Sequence, residues 1–390
     1  MPRQQKHEKI SQGMLQIALF FTCGISLRYW HDSGQLSREK RLYEELINTG
    51  NVARVTWITY GMDDALLAAK LHASGALHEK ITVIPMPSVF RGKVGRLLYS
   101  LFAPWILKDT LQQCHIMKSN QLPGAWTAWL AARLLRKPFF FRTGYTFSEL
   151  SATQKKYNTL KTRFFRIIER FLYANCTVAS VTSQHSKEYI THHYTTSKLE
   201  YLPNFVETEK FCPTDCLRQK GSIVFVGRLH AEKNLDAFMR ALRGSPYALH
   251  IYGRGEQEVA LRQLALHCNI HVVFHGAVPN VELPRILRQY EYFILPSPFE
   301  GMPKALLEAM ACGCVCLGAD VPGVREIIMD GENGLLAEDF SVSAFQALLQ
   351  RLPIADGQSL AARGVEHVQK YYSLQAVVRS EAALLVGMLE

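Results

Sequence analysis

Short apolar runs alternate with longer segments of helical periodicity along almost the whole chain. In the first half, six apolar runs predict buried strands, at residues 16–21, 54–59, 81–85, 115–118, 139–142 and 177–181. The segments between them, for example residues 38–48 and 124–135, predict amphipathic helices. Strands that alternate with helices in this way are typical of parallel α/β sheets.

A polar stretch at residues 206–220 has little hydrophobic periodicity and predicts a linker. A second α/β series follows at once, with predicted strands at residues 222–226, 248–252, 271–274, 292–295 and 315–318. Its helices are predicted at residues 234–243, 256–267, 281–289 and 303–311. We therefore predict an α/β protein with two Rossmann-like domains that face each other across a cleft, at residues 1–205 and 206–372. A last helix within residues 373–390 is predicted to pack back onto the first domain.

The N-terminus resembles a signal peptide only in part. Residues 1–13 are polar and predict a loose extension, whereas residues 14–27 are largely apolar. No small-residue cleavage pattern follows this apolar run, and the run is too short to span a bilayer. We therefore interpret it as the buried first strand, with Met14 as an alternative start of translation.

The charge of the chain is unevenly distributed. The formal net charge is +10, but residues 1–205 contain 27 basic and 13 acidic residues and carry +14, whereas the remainder carries −4. This asymmetry indicates an anionic partner for the first half, either nucleic acid or a membrane surface. Nine irregularly spaced cysteines argue against a disulfide framework and favour a reducing compartment, so we expect a cytoplasmic protein with buried, unligated thiols.

Two loops that follow predicted strands of the second half carry glycines and cations. In the first loop, Gly227 allows a tight turn, and Arg228 and Lys233 lie where a helix is predicted to begin. A helix N-terminus with two cations suits a diphosphate, although an ordinary basic loop would look the same. In the second loop, Gly253 and Gly255 would let the backbone approach a ligand closely, although many turns contain such a pair.

The strongest pattern lies at residues 296–310. Pro303 suits the first position of a helix and Gly313 its C-terminal cap, which predicts a helix from about residue 303 to residue 312. Glu300 then precedes the helix and Glu308 lies inside it, so the two carboxylates are not a paired acid and base. Glu308 could bridge a ribose diol, and Glu300 could orient a sugar ring. The structural alternative is that Glu300 caps the helix and Glu308 is a solvated helix residue.

Residues 222–338 resemble the donor-binding domain of retaining glycosyltransferases of family 4, the group 1 glycosyltransferases with the GT-B fold. That family carries two glutamates separated by seven residues, and Glu300 and Glu308 match this spacing. Residues 203–206 resemble the family's Pro-Asn-Gly-Val, with Phe205 in place of glycine. Other family positions are matched in the right order by Gly227, Arg228, Lys233, Gly253, Gly255, Gly323, Glu326, Gly331, Asn333 and Gly334.

The resemblance implies a role for each of these residues. Arg228 and Lys233 would hold the donor diphosphate and stabilise it as it leaves. Glu308 would bind the nucleotide ribose, and Glu300 would contact the donor sugar. The backbone around Glu300 would assist it, through Gly301, Met302, Pro303 and Lys304. The implied enzyme is of the hexosyltransferase type, with a nucleotide sugar as co-substrate and without cofactor or metal; in agreement, the chain contains no Asp-x-Asp motif.

The first half resembles the family less closely. Gly34 lies in the expected loop after the first strand, where many members carry a glycine close to the sugar and phosphate. Where many members carry a histidine after the strand near residue 142, this chain has Arg142. Arg142 is therefore a candidate for binding on the acceptor side, and a structural ion pair is an equal alternative.

Two basic and apolar stretches, residues 91–108 and 155–173, predict amphipathic helices rich in aromatic residues. Such helices suit an anionic membrane surface, and the alternative is a core-facing helix with a solvated basic side. We therefore expect a retaining enzyme that is peripheral on the inner face of the cytoplasmic membrane. It would transfer sugar to a glycan or lipid-linked acceptor in the assembly of a cell-surface polysaccharide or glycolipid.

Two other functions stay open at this point. A nucleotide-sugar epimerase of similar fold would need no acceptor, but the acid and base histidines expected of it are not evident. A noncatalytic protein could instead bind an anionic polymer through its basic half. No nucleic-acid-reading module and no aromatic stacking platform can be recognised, so we expect no nucleic-acid partner.

Overall fold

The computed structural model describes residues 15–144, 146–149 and 159–390, except for the side chain of Lys161. The predicted extension at residues 1–13, Met14, and Lys155 and Lys156 of the second basic stretch lie outside the described residues. The chain forms two compact units. The first contains the residues up to Leu202 together with Val378–Glu390, and the second contains Pro203–Val377.

The first unit contains a parallel seven-stranded sheet with the strand order β3-β2-β1-β4-β5-β6-β7. All six predicted strands are present, and their ends differ from the prediction by at most one residue. The strands are apolar and largely buried, as expected for a parallel sheet. Their bounds are β1 Gln16–Phe20, β2 Arg54–Ile58, β3 Ile81–Ile84, β4 Ile116–Ser119, β5 Phe139–Arg142, β6 Val178–Val181 and β7 Leu199–Tyr201.

The described helices of the first unit fall between these strands. The predicted helices at residues 38–48 and 124–135 correspond to the second and sixth of them. Their bounds are α1 Leu27–Asp32, α2 Leu36–Asn48, α3 Asp64–Ala73, α4 Gly92–Ile106, α5 Lys108–Gln112, α6 Ala125–Leu135, α7 Leu160–Asn175 and α8 Gln184–His193.

The second unit contains a parallel six-stranded sheet with the order β10-β9-β8-β11-β12-β13. The five predicted strands are present, and the first of them begins at Gln219, inside the predicted linker. The sixth strand was not predicted because three residues are too few to show a period. The bounds are β8 Gln219–Val226, β9 Ala248–Tyr252, β10 Val272–Gly276, β11 Tyr290–Leu295, β12 Val315–Ala319 and β13 Leu335–Ala337.

Eight α-helices complete the second series. The predicted helices are present but begin one or two residues later than expected. Their bounds are α9 Leu235–Ala241, α10 Glu258–Cys268, α11 Leu283–Leu287, α12 Lys304–Ala311, α13 Pro322–Arg325, α14 Val342–Arg351, α15 Gly357–Tyr371 and α16 Leu374–Gly387. Within the described residues, none of the helices combines the length and the apolar character needed to cross a bilayer.

The end of α16 belongs to the first unit and is held there by a buried ion pair. Glu381 accepts a hydrogen bond from the Lys118 ammonium group of β4, and both side chains are buried. The ammonium nitrogen also lies 5.0 Å from the centre of the Tyr43 ring and 5.2 Å from that of Phe140. Burial lowers the pKa of Lys118, and the neighbouring Glu381 carboxylate opposes that shift. Loss of either partner alone would leave the other charge buried without compensation.

Each sheet has one point where the strand order reverses. It lies between β1 and β4 in the first unit and between β8 and β11 in the second. Open parallel sheets bind ligands at the carboxyl ends of their strands beside this reversal. In the second unit, the loops after β8 and β11 lie beside this reversal, and they carry Arg228, Lys233 and Glu300.

Candidate active site

The loops after β8 and β11 meet through a short ion pair. The Lys233 ammonium nitrogen lies 2.5 Å from a carboxylate oxygen of Glu300. The exposed fractions of the two side chains are 24% for Lys233 and 11% for Glu300, so the pair is largely but not fully withdrawn from solvent. The sequence predicted both residues as part of one site, and the fold brings them into contact.

Lys233 directly precedes Asn234, the N-cap of α9, and so lies next to a helix N-terminus as the sequence predicted. Residues Ala231–Lys233 form a 3₁₀ turn, and α9 begins only at Leu235. The residue between them, Asn234, has a left-handed backbone conformation with φ of 52°, which interrupts the helical geometry. The 3₁₀ turn and Asn234 therefore separate the Lys233 backbone from the regular geometry of α9.

Arg228 differs from Lys233 in its surroundings. Its side chain is exposed, and its guanidinium group makes no hydrogen bond or ion pair to any residue that the structure describes. Since Lys233 is already paired with Glu300, Arg228 is the unpaired cation of the β8 loop. An exposed, unpaired arginine can donate two parallel hydrogen bonds to a phosphate.

Gly253 and Gly255 allow a close backbone approach, but to the chain itself. A Cβ atom on Gly253 would lie 1.8 Å from the carbonyl oxygen of Gly227, and one on Gly255 would lie 2.2 Å from that of Leu229. The Leu229 amide also donates to the carbonyl of Arg254 over 2.9 Å. These glycines therefore pack the β9 loop onto the β8 loop beside Arg228, and their contact with a ligand stays a prediction.

The segment around Glu300 differs in detail from the predicted helix start. Pro303 is the N-cap of α12, with an extended ψ of 107°, so the helix begins at Lys304 and not at the proline. Pro303 has no side chain that could cap the helix, and the Glu300 carboxylate hydrogen-bonds to Lys233 and not to a described amide of the first turn, so the alternative role of Glu300 as a cap is wrong. Gly313 follows the C-cap Cys312 with φ of +79°, as a residue just beyond a helix end should.

Glu308 is buried inside α12, so the alternative of a solvated helix residue is wrong. Its exposed fraction is 6%, and one of its carboxylate oxygens accepts a hydrogen bond of 3.3 Å from the side-chain amide of Asn280. Asn280 begins the 3₁₀ turn before α11, and no pattern in the sequence had indicated it. A buried carboxylate with an amide partner is oriented before any ligand arrives.

The backbone of Glu300 and Gly301 rests against Gly323 of α13. A Cβ atom on Gly323 would lie 2.2 Å from each of their two carbonyl oxygens. Met302 is buried, with 7% of its surface exposed, and Lys304 is half-buried at the start of α12. Glycine at the matched family position Gly323 therefore has a steric basis, since only glycine admits the backbone of Glu300 and Gly301 at this distance.

The candidate residues of the first unit are less closely organised. Gly34 has φ of +72° and no atom within 4 Å of where a Cβ would stand. It lies between α1 and α2, because a short helix that the sequence did not predict follows the β1 loop. The expectation that Gly34 lies in the loop after the first strand is therefore corrected. Gly24, with φ of +83°, occupies that loop, and no sequence pattern had singled it out.

Arg142 is the last residue of β5 and is half-buried. Its backbone amide donates to the Ser119 hydroxyl over 3.2 Å. Its guanidinium group makes no ion pair or hydrogen bond to the described residues, so nothing in this part of the chain supports the structural ion pair. Arg142 stays a candidate for acceptor binding.

Two further features of the described residues bear on the chemistry. They contain no cluster of three or more histidine, cysteine, aspartate or glutamate side chains that could hold a metal ion. A cavity of about 810 Å³ opens near the amino ends of β11 and β12, with Arg218, Tyr292 and Val315 in its wall. None of the candidate residues lines that cavity, which therefore does not belong to the site at the carboxyl ends.

Two family models match the chain, one in each half. Residues 40–210 match the model "Glycosyltransferase Family 4", and residues 217–362 match "Glycosyl transferases group 1". The chain belongs to the family 4 glycosyltransferases. This membership accounts for the matched positions of the second unit, from Gly227 to Gly334, and for the two parallel sheets, which are the two Rossmann-like domains of the GT-B fold.

Curated members of the family resemble the chain over part of its length. The amylovoran biosynthesis glycosyltransferase AmsK of Erwinia amylovora is 32% identical over 162 residues, which are 38% of this chain and 40% of AmsK. A GDP-mannose-dependent phosphatidylinositol monomannoside mannosyltransferase of Mycobacterium tuberculosis is 28% identical over 217 residues, which are 49% of this chain and 56% of that enzyme. The chain thus spans about half the length of these relatives.

Solved structures of glycosyltransferases resemble the whole chain. Sucrose-phosphate synthase from Thermosynechococcus elongatus superposes with a TM-score of 0.73 at 17% identity, over 95% of this chain and 98% of that one. HepE of Anabaena, in complex with UDP-glucose, gives 0.71 at 13% identity, over 96% of this chain and 100% of HepE. At such identities the likeness establishes the GT-B fold and not the substrate.

Proposed function

We propose that this family 4 protein transfers a sugar from a nucleotide-sugar donor bound at the carboxyl edge of the second sheet. The observation that carries the proposal is the arrangement of three side chains at the strand reversal. Lys233 and Glu300 form a half-buried ion pair, and Arg228 of the same loop projects an unpaired cation. The arrangement supplies positive charge for a diphosphate beside a carboxylate for sugar hydroxyls.

In the proposed mechanism, Arg228 and Lys233 bind the donor diphosphate. When the bond between sugar and phosphate breaks and the sugar bonds to an acceptor hydroxyl oxygen, negative charge accumulates on the leaving diphosphate, and two preorganised cations stabilise it. The proton of the acceptor hydroxyl passes to a phosphate oxygen of the leaving group or to solvent. Lys233 would then be shared between the diphosphate and Glu300. Glu300 would accept hydrogen bonds from the sugar ring, held by the backbone of Gly301 and Met302.

Glu308 is proposed to bind the two hydroxyls of the nucleotide ribose. A carboxylate can accept both hydroxyl hydrogens at once, and Asn280 already fixes its orientation. HepE binds UDP-glucose, and the mycobacterial relative depends on GDP-mannose. These neighbours support a hexose donor for this chain. The resemblance to family 4 supports transfer with retention of the anomeric configuration.

The first test concerns the two cations. Arg228→Gln and Lys233→Gln should each weaken binding of UDP and GDP by about tenfold or more in calorimetry, because hydrogen bonds to charged groups contribute about 1.5–3 kcal/mol. Arg243→Gln is the matched control, since Arg243 is an exposed arginine of the same unit outside these loops. Equal affinity of all three variants and the unmodified protein would show that the diphosphate binds elsewhere.

A second test concerns metal independence. Since Arg228 and Lys233 are proposed to meet the diphosphate charge, turnover should survive excess EDTA. Loss of activity in the chelator, with recovery on addition of magnesium or manganese, would contradict this part of the proposal. The unmodified protein assayed without chelator, with and without added metal, provides the comparison.

The acceptor is proposed to be lipid-linked or to lie at a membrane, because two helices of the first unit expose their apolar stripes. In α4, residues 94, 97, 98, 101, 102, 105 and 106 repeat at helical spacing, and each is at least 40% exposed. The buried side of α4 is instead formed by Tyr99, Ser100, Ala103 and Pro104. The alternative of a core-facing helix with a solvated basic side therefore holds for Tyr99 and its buried neighbours, whereas most of the apolar side chains of α4 are exposed.

The second stripe lies on α7 and comprises Leu160, Phe164, Ile167 and Phe171, all exposed. The cations that accompany the two stripes are also exposed: Arg91, Lys93, Arg96 and Lys108 near α4, and Arg163, Arg166 and Arg170 on α7. Apolar side chains flanked by cations suit the headgroup region of an anionic bilayer. We therefore propose peripheral attachment to an anionic membrane surface, with the assembly of a surface polysaccharide or glycolipid as the biological setting.

A further inference from the structure

The loop of residues 296–303, called the Glu300 loop below, has little means of holding its own shape. Three of its eight residues are prolines, which have no backbone N–H to donate. Among the described backbone hydrogen bonds, none joins two residues of this loop. The position of Glu300 must therefore be set by groups outside the loop.

Two asparagine side chains supply these outside contacts, one at each end of the loop. The amide nitrogen of Asn234 donates to the carbonyl oxygen of Pro296 over 3.1 Å, and also to that of Phe340 over 2.9 Å. The amide nitrogen of Asn204 donates to the carbonyl oxygen of Met302 over 2.9 Å. Each asparagine thus anchors a carbonyl that flanks Glu300.

We propose that Asn204 and Asn234 are positioning residues that hold the Glu300 loop where the Glu300 carboxylate can pair with Lys233. The inference rests on the proposed function, because it assigns them to the geometry of sugar transfer. Neither asparagine needs to touch the donor. They act through Glu300, whose carboxylate must stay within reach of both Lys233 and the sugar.

The chemistry of asparagine fits both positions. Asn234 has φ of 52°, a left-handed conformation that asparagine and glycine tolerate better than other residues. Its amide group also provides the two N–H donors that reach two neighbouring loops. An aspartate would keep the size and the backbone preference but would direct a negative oxygen at each carbonyl. A glycine would keep the backbone conformation and remove the donors without adding charge.

The experiment therefore compares Asn204→Asp, Asn204→Ala, Asn234→Asp and Asn234→Gly with the control Asn269→Asp. Asn269 has φ of 49° and is exposed at the end of α10, so it matches Asn234 in backbone conformation but lies outside the Glu300 loop. Hydrogen–deuterium exchange over residues 297–307 reports the order of the loop independently of activity. We expect faster exchange there in the four site variants and no change in the control.

Kinetics should then separate positioning from binding. Misplacement of a reacting group by about 1 Å can cost on the order of a hundredfold in rate, so kcat should fall by about tenfold or more in the site variants. The Asn204 variants should bind UDP and GDP as tightly as the unmodified protein, because Arg228 and Lys233 are untouched. The Asn234 variants should also lose affinity, since Asn234 adjoins Lys233. Thermal unfolding curves should show that all variants are folded at the assay temperature.

Each negative outcome has a different meaning. Unchanged loop exchange together with unchanged kcat in all four variants would overturn the positioning role. Faster loop exchange in a protein that transfers sugar from no nucleotide-sugar donor would leave the loop anchoring intact and overturn the proposed function. Altered exchange across the whole second unit would show a general structural role and would also overturn the inference.

Discussion

At the scale of single residues, the site is defined by what touches Glu300. Lys233 pairs with its carboxylate at 2.5 Å, and Gly323 lies directly beneath its carbonyl oxygen. The first contact is polar and could be proposed from residue types. The second is steric, and it follows from the absence of a side chain. Both contacts restrict the position of the Glu300 carboxylate.

The contact at Gly323 gives a sharp prediction. In Gly323→Ala, the new Cβ would lie 2.2 Å from the carbonyl oxygens of Glu300 and Gly301, so the loop must shift. We expect kcat to fall by about tenfold to a hundredfold, because a misplaced catalytic group reduces the rate strongly. Steady-state assays with a donor sugar measure the effect.

Gly357→Ala is the matched control for this substitution. Gly357 is the first residue of α15, and a Cβ there would make an ordinary contact of 3.5 Å with Val315. Alanine at a compatible helical position is expected to be neutral or slightly stabilising. If Gly323→Ala retains full activity like this control, the loop is not held by the steric contact.

The sequence could predict the charged residues of the candidate site but not the residues that orient them. Arg228, Lys233, Glu300 and Glu308 stand in patterns with fixed spacing, so each could be named in advance. Asn280 could not, since its contact with Glu308 joins a 3₁₀ turn to α12 between residues 28 positions apart in the sequence. A single sequence shows which groups are chemically suited to a site, whereas the partner of each group depends on tertiary structure.

At the scale of elements, α4 shows the limit of periodicity as a signal. The spacing of its apolar residues predicts an amphipathic helix, and the helix is present. Periodicity does not tell which face turns inward. Here, Tyr99, Ser100 and Ala103 pack inward where α4 contacts α6, whereas most of the other large apolar side chains of the helix face solvent. The indole nitrogen of Trp126 in α6, for example, donates a hydrogen bond of 3.0 Å to the Ser100 hydroxyl of α4.

This orientation predicts an unusual response to mutation. The triple variant Leu98→Gln, Phe102→Gln and Trp105→Gln should leave the melting temperature almost unchanged, since surface substitutions usually alter stability by about 0.5 kcal/mol or less. The same variant should bind anionic vesicles more weakly. Thermal unfolding and vesicle co-sedimentation measure the two effects.

The opposite face of α4 provides the control. Ala103 is fully buried, and a glutamine in its place would overpack the interface with α6, which typically costs about 1–3 kcal/mol. Ala103→Gln should therefore lower the melting temperature, whereas the triple variant should not. A large loss of stability in the triple variant would mean that its apolar stripe is buried in the folded protein.

At the scale of the whole molecule, charge is divided between the two halves of the chain. Residues 1–205 carry +14 and the rest −4, so an anionic surface attracts the first half more strongly. The exposed cations that flank the apolar stripes of α4 and α7 belong to this half. The proposed donor site lies in the second unit, and its cations Arg228 and Lys233 are proposed to bind a diphosphate. The two functions should therefore be separable by mutation.

This separation is tested on vesicles. Each Lys or Arg near an anionic membrane contributes on the order of 1 kcal/mol, and the attraction decays over a Debye length of about 8 Å at physiological salt. The protein should therefore sediment with vesicles that contain anionic lipid, be released by high salt, and ignore neutral vesicles. The triple variant Arg163→Gln, Arg166→Gln and Arg170→Gln should bind these vesicles more weakly while its affinity for UDP and GDP stays unchanged.

The control is a second triple variant, Arg54→Gln, Lys80→Gln and Lys198→Gln. It removes the same charge from residues at or just before the amino ends of β2, β3 and β7. If both triple variants lose vesicle binding equally, net charge governs the attachment and not the cations beside the apolar stripe of α7. If the unmodified protein ignores anionic vesicles even at low salt, a soluble anionic acceptor becomes the better explanation of the basic half.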